Sequence, residues 1–459
     1  MLFNSVEFIY FFLPLTVILF YTASRFRWIK LSKYILLSMS FIFYAYWKLS
    51  YFLLIVFKII SNYFLAVLMD KKRSWALLWA GVIFNLGILC YFKYLGFFTG
   101  ILHELTPMVP VLAATTIPLG ISFYTFTQLA YLEDLHYRKT RFYGLTQYSL
   151  FVIFFPHLIA GPIVHYGQIM PQFDRLRTYL AQHRNFFKGI FFFLLGLFQK
   201  AVIADAVGPL ADAGFANAHL LSFVESWGAL LAYALQIYFD FAGYSNMAIG
   251  LGLLFNIRFP ANFDSPYQAA SIIDFWRRWH MTLSQFLRDY VYVRLGGNRL
   301  GEMRKYANIF LTMLIGGLWH GAGWTFILWG GYHGALLVGN HAADKAGFKL
   351  PLWLGQALTF LLVLYGWVLF RSSNLEIAGA MTSGLAGLRG WGFGETHFIW
   401  KRQLLWLLVP MAVAFFAPNA EYWAKKIKPT LSWGIVFSGM LIMDILYLNR
   451  ESAFLYFQF

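Results

Sequence analysis

Windows of about twenty mostly apolar residues, each long enough to cross a hydrocarbon core of ~30 Å, recur from one end of this chain to the other. About eleven or twelve candidates can be placed. In lipid every backbone N–H and C=O must be satisfied internally, and helices of this length do so. The spacing therefore predicts an all-α polytopic membrane protein, with about 11–12 transmembrane helices supplemented by re-entrant and interfacial segments. Only 12% of the 459 residues are charged, against about 25% in an ordinary soluble domain. The polar intervals 164–184 and 371–401 are too short, and too poor in apolar periodicity, to build a second core. One membrane domain over 1–459 is expected: scaffold helices over 1–135, a central core over 145–345 and C-terminal helices over 351–459.

The net charge of +16 would suggest nucleic acid in a soluble protein, but the basic residues lie between apolar spans rather than on one face. No nucleic-acid partner is expected; the lipid bilayer is. Arg25, Arg27, Lys30 and Lys33 follow the first span, Lys71, Lys72 and Arg73 the third, and Arg138, Lys139 and Arg141 the segment at 117–135. These loops share parity, so the positive-inside rule makes them cytoplasmic and the N-terminus external. Met1 to Glu7 has no basic n-region and no cleavage site follows, so the first span is expected to stay as a helix. Cys90, the single cysteine, excludes an internal disulfide framework and reads as a small buried hydrophobe.

Spans at about 6–23, 34–47, 51–69 and 75–97 read as scaffold. The region 145–166 differs: Phe154-Phe155-Pro156-His157-Leu158-Ile159-Ala160-Gly161-Pro162 is apolar, yet its prolines and glycine break a straight helix. A re-entrant segment is expected there, and irregular backbone at that depth implies a protein-lined or watery chamber. Spans resume at about 185–206 and 222–254, the second carrying Gln236, Asp240, Ser245 and Asn246 on a face that should point inward. The stretch 265–300 is too charged to span and suits helices at the cytoplasmic boundary or inside a protein-lined funnel. The run 306–342 is nearly twice the bilayer's length if wholly helical at ~1.5 Å per residue, with Gly321 to Gly323 as the natural break. Further spans follow at about 351–370, 402–420 and 430–448.

P-loop, dinucleotide-binding glycine, His-Glu-x-x-His and Gly-x-Ser-x-Gly patterns are all missing from the sequence, which points away from ATP- or metal-driven chemistry; no metal ligands are assigned. His320 stands out, in Gly316-Gly317-Leu318-Trp319-His320-Gly321-Ala322-Gly323-Trp324. An ionisable side chain at membrane depth is a functional-site hypothesis by default. Imidazole can take a hydroxyl proton near neutral pH, the glycines leave room for substrate, and Trp319 and Trp324 can wall the site. A structural histidine bonded to a freed carbonyl is the alternative. His280 lies in Asp274-Phe275-Trp276-Arg277-Arg278-Trp279-His280-Met281-Thr282-Leu283-Ser284. On one continuous helix Arg277, His280 and Ser284 would share a face suited to an anionic donor, with Asp274 paired to Arg278. A basic helix touching lipid headgroups fits equally. Asp240 reads as a proton-relay carboxylate or as a buried acceptor orienting Tyr244 or Gln236. His157, in the broken segment, and His333 have packing and functional readings. His103, His183, His219, His341 and His397 carry no role. A transporter also uses broken helices and buried polar residues, but it predicts paired halves, and no internal repeat is visible.

Trp276 to Ser284, the following Arg288-Asp289-Tyr290, and Gly317-Leu318-Trp319-His320-Gly321 resemble the signature of the membrane-bound O-acyltransferase superfamily. Pro118-Leu119-Gly120-Ile121-Ser122-Phe123, Phe155 to Pro162, Asp240-Phe241-Ala242-Gly243-Tyr244-Ser245 and the terminal Tyr456-Phe457-Gln458-Phe459 are similar to its alginate O-acetyltransferase branch, a relative of the protein that passes D-alanine to teichoic acids. The resemblance implies a ring of helices with a cytoplasmic funnel reaching His320, His320 as principal catalytic histidine and His280 at the second active-site position. It implies an acetyl group taken from a cytoplasmic thioester, acetyl-CoA or another acyl thioester, with no permanently bound cofactor. The acceptor would be an exported envelope polysaccharide such as alginate, reached through a periplasmic partner protein of the SGNH-hydrolase-like type; peptidoglycan, cellulose and teichoic acid remain open. The location expected is the bacterial cytoplasmic membrane. Trp319, Trp324, Arg277, Ser284, Asp240 and His157 are the candidate donor- or substrate-binding residues around the two histidines.

Overall fold

The computed structural model describes residues 1–112, 116–392, 401–448 and 454–455, with backbone alone at 401–404. Tyr456 to Phe459 and His397 lie outside the described residues. Among those described, every regular element is a helix. Among the described residues five helices are long and apolar enough to cross a membrane, Phe8–Arg25, Leu49–Lys71, Trp75–Lys93, His183–Ala216 and Leu352–Arg371, and Leu405–Phe416 with Ala420–Lys426 forms a further pair bent by 65°. The other apolar windows fold as shorter, broken or more polar helices. Leu145–Ile153, for example, ends at Phe154 before the single turn Phe155–Leu158. Its nine residues rise only ~14 Å, well short of the bilayer.

The chain divides into two compact units: Met1–Leu197 with Tyr244–Pro260 and Ile427–Phe457, and Phe198–Gly243 with Ala261–Lys426 and Gln458–Phe459. In the first, large apolar side chains such as Phe11, Ile83 and Trp79 point outward, as a lipid-facing surface requires. Polar residues on the inner faces join the helices. Lys58 Nζ donates to Thr125 Oγ1 at 2.6 Å, and Asn62 accepts from Asn85 at 2.6 Å while donating to Gln128 at 3.3 Å. Such interhelical bonds act as glue where the hydrophobic effect is weak. Cys90 is exposed on Trp75–Lys93 rather than buried, because that helix shows its wide apolar face to the surroundings.

In the second unit, Glu302–His320 and Trp324–Lys345 form a helical hairpin broken at Gly321 to Gly323. Their backbones meet at Gly330, where an added Cβ would sit 2.5 Å from the Met313 carbonyl oxygen and 3.1 Å from Leu314 Cα. No rotamer relieves a clash with backbone. Gly330→Ala is therefore expected to destabilise the detergent-purified protein by about 1–3 kcal/mol, read as a lowered Tm. Gly331→Ala, whose Cβ would make ordinary contacts with Leu314 Cδ2 at 3.6 Å and Phe310 Cζ at 3.8 Å, is the tolerated control. Equal melting temperatures would contradict the close approach.

Candidate active site

The site is built in the second unit from three segments that bury polar side chains against aromatic rings. His320 is the last residue of Glu302–His320 and is 5% exposed. Its ring lies 4.8 Å from Trp319, 5.0 Å from Trp329 and 5.1 Å from Phe370 between centroids, all steeply inclined. An imidazole walled by aromatic faces is shielded from water, which strengthens any charge interaction it makes there. Trp329 stands where the sequence suggested Trp324. Trp324 is 52% exposed, whereas Trp329 is 1% exposed. The break at Gly321 to Gly323 starts the second helix with Trp324 on its outer side, and the residue that returns to His320 is Trp329, further along that helix.

His280 is fully buried, at 0% exposure. The helix expected through it is broken: Ile272–Arg278 and Met281–Leu287 are separate, and His280 joins them with φ +43° and ψ +53°. This left-handed conformation costs a non-glycine residue of order 1 kcal/mol or more and is held by its surroundings. Two backbone bonds do so, from Met281 N–H to Asn262 O at 2.9 Å and from Asp264 N–H to Arg278 O at 2.9 Å. The break moves Arg277, His280 and Ser284 off a common helical face. Arg277 is exposed and Ser284 half-buried, while Asp274 and Arg278 do pair, at 2.9 Å. The segment packs inside its unit, burying Phe275, Trp276, Trp279 and Leu283.

The hydrogen bonding fixes the His280 tautomer. Its Nδ1 lies 3.1 Å from Asn262 Oδ1, the oxygen that also accepts from the Thr282 N–H at 3.3 Å and the Thr282 hydroxyl at 2.9 Å. A backbone N–H only donates, so the atom it meets is the amide oxygen and only accepts. Nδ1 therefore carries the hydrogen, and Nε2 of the neutral ring is an acceptor. Both histidines contact one indole: Trp319 is 6.3 Å from His280 and 4.8 Å from His320.

Beside them opens a cavity of about 420 Å³ lined by Trp276, Ser284, Arg288, Lys305, Met313 and His341 among others. Its wall is largely apolar, with cations at its edge. Arg288 is shared with Asp289 at 2.8 Å, and that bond raises the guanidinium pKa further above its ordinary value. Trp276 connects cavity and histidine: its ring lies 5.7 Å from Trp329, which touches His320. Such a space fits a long neutral chain ending in an anionic group.

Asp240 accepts from Lys200 Nζ at 2.6 Å, and the same amine donates to Asp205 at 2.8 Å. All three side chains are buried, and Lys200 sits in the π-helical stretch Phe198–Ala204. Lys200 and Asp205 escaped the sequence reading, although the argument that singles out His320 applies to a lysine inside the 185–206 window. His333 is buried between Trp329, at 4.9 Å, and Trp276, at 5.2 Å, with its Nε2 against Gly366. His157 belongs to the other unit, where Phe151, Phe154 and Phe259 surround it.

Residues 121–378 match the model of the membrane-bound O-acyltransferase family. The chain belongs to this family. As a family member it is a membrane-embedded O-acyltransferase, as the motifs around His280 and His320 implied. It is 42% identical to the peptidoglycan O-acetyltransferase of Helicobacter pylori, over 85% of this chain and 80% of that protein. It is 37% identical to the probable alginate O-acetylase of Pseudomonas putida over the full length of both. A teichoic acid D-alanyltransferase of Streptococcus thermophilus is 30% identical over 55% of this chain and 68% of its own length.

Proposed function

We propose that this acyltransferase moves an acetyl group from acetyl-CoA on the cytoplasmic side to a hydroxyl of an exported cell-envelope polysaccharide. The observation that carries the reading is the placement of His320: buried among aromatic rings, and linked through Trp329 and Trp276 to a cavity with Arg288 and Lys305 at its edge. The pantetheine arm of the donor is mostly neutral and suits the apolar wall; its phosphates suit the cations. His320 takes the proton of the attacking hydroxyl and returns it to the thiolate. The Nε2 of His280 accepts, so this residue positions the donor rather than stabilising negative charge. The other expectations keep their place in the reading: the bacterial cytoplasmic membrane, the N-terminus outside, and a periplasmic SGNH-hydrolase-like partner that hands the acetyl group to the polymer. The names of the two long-range relatives favour two acceptors, alginate and peptidoglycan, which share the same hydroxyl chemistry.

Deleting the gene and quantifying ester-linked acetate in each envelope polymer tests the reading. Loss from one polymer, restored by the wild-type gene, is expected. Unchanged acetate in all of them, with no transfer from labelled acetyl-CoA in membrane vesicles, would overturn it. Lys305→Met is expected to raise the KM for acetyl-CoA about fivefold with kcat unchanged, since a partly exposed ion contact contributes ~1 kcal/mol. An unaltered KM would remove Lys305 from the donor site.

A further inference from the structure

We propose that the indole N–H of Trp329 is the donor that holds the oxyanion formed when the hydroxyl adds to the thioester beside His320. The inference rests on the reading of His320 as the general base. Trp329 is essentially inaccessible, yet its Nε1 donates to nothing. More than nine in ten buried polar groups have a partner, and an unmade bond costs about 1–3 kcal/mol. The rings around it include those of His320 at 5.0 Å, His333 at 4.9 Å, Phe370 at 5.3 Å, Trp276 at 5.7 Å and Trp367 at 6.5 Å. His333 contains an acceptor nitrogen, but neither of its ring nitrogens has a hydrogen-bond partner, so it does not take this hydrogen. An acceptor brought by the substrate satisfies it, as it would the equally unpartnered indole of Trp276 that lines the cavity. A carbonyl oxygen is the acceptor that an acyl thioester brings, and Trp329 stands between Trp276, which lines the cavity, and His320.

The step balances without a further reactant. The acceptor hydroxyl oxygen bonds to the thioester carbon as His320 takes its proton. The π pair moves onto the carbonyl oxygen, and the Trp329 N–H donates a hydrogen bond to that oxygen. Collapse reforms the carbonyl, breaks the C–S bond, and the thiolate leaves with the proton from His320, giving ester and thiol. His280 cannot substitute as donor in the tautomer set by Asn262.

The experiment uses membrane vesicles containing the full-length enzyme and its native acceptor, supplied with radiolabelled acetyl-CoA. Trp329→Phe keeps a ring and removes the N–H; the maximal rate should fall about a hundredfold, with the KM for acetyl-CoA within about twofold. A packing role alone would lower Tm and shift KM as well. Should Trp329→Phe accumulate poorly, β-(3-benzothienyl)alanine at position 329, which replaces N–H by sulfur in nearly the same shape, should show the same loss of rate. A maximal rate within about threefold of wild type for either folded variant would overturn the proposal. If His320→Gln is inactive while Trp329→Phe is fully active, the proposal for Trp329 alone fails. A fully active His320→Gln would overturn the reading beneath it.

Discussion

Replacing His320 by glutamine is expected to lower acetyl transfer about a thousandfold while leaving the protein folded. General base catalysis contributes roughly 10² to 10⁴ in rate, and the rings of Trp319, Trp329 and Phe370 at 4.8–5.1 Å are not bases. His280 meets this group at Trp319, 6.3 Å away between ring centroids. Glutamine approximates the volume of histidine and can hydrogen bond, so the aromatic walls keep a partner of similar size. Maximal rate and KM measured in the same vesicles separate chemistry from binding: the loss should fall on the maximal rate. A variant that transfers acetyl at the wild-type rate would remove the proton-transfer role from His320.

Lys200→Met should prevent accumulation of folded protein. The substitution leaves Asp205 and Asp240 buried beside each other without the amine that lies 2.8 and 2.6 Å from them. Breaking a buried ion pair by removing one partner costs about 3–5 kcal/mol, a large share of the roughly 5–15 kcal/mol by which proteins are stable. Removing the charges together is far milder, since neutral groups need no counterion. The triple variant Lys200→Met, Asp205→Asn, Asp240→Asn should therefore recover much of the folded yield lost in the single variant. Monodisperse protein after detergent extraction and its Tm are the measurements. A single variant as stable as wild type would show that the triad carries no structural load.

Much of this site is legible along the chain because its signals are local. His320 is conspicuous because it interrupts an apolar run, and the glycines around it announce a break that the hairpin Glu302–His320 and Trp324–Lys345 contains. The broken helix after Ile153 follows from Pro156 in the same way. The aromatic wall does not follow: nearness in sequence favours Trp324, but the direction in which the second helix leaves the turn brings Trp329 to the histidine. The break at His280 is equally hidden. Trp279, His280 and Met281 hold no proline or glycine, and the left-handed residue is maintained by a strand of chain near Asn262 and Asp264.

The amino-acid sequence by itself determined the solvent and the element type. Burial of apolar side chains is proportional to area and is summed over neighbours in the chain, so long apolar windows specify membrane helices without knowledge of their partners. The two signature motifs likewise located both histidines. Only the tertiary structure decided which polar groups meet. It joined Lys200 to Asp240, forty residues away, gave His280 its tautomer through Asn262, and buried the Trp329 N–H without a hydrogen-bond partner. A hydrogen bond fades within a fraction of an ångström and a few tens of degrees. That precision belongs to the packing of distant segments, and no local pattern encodes it.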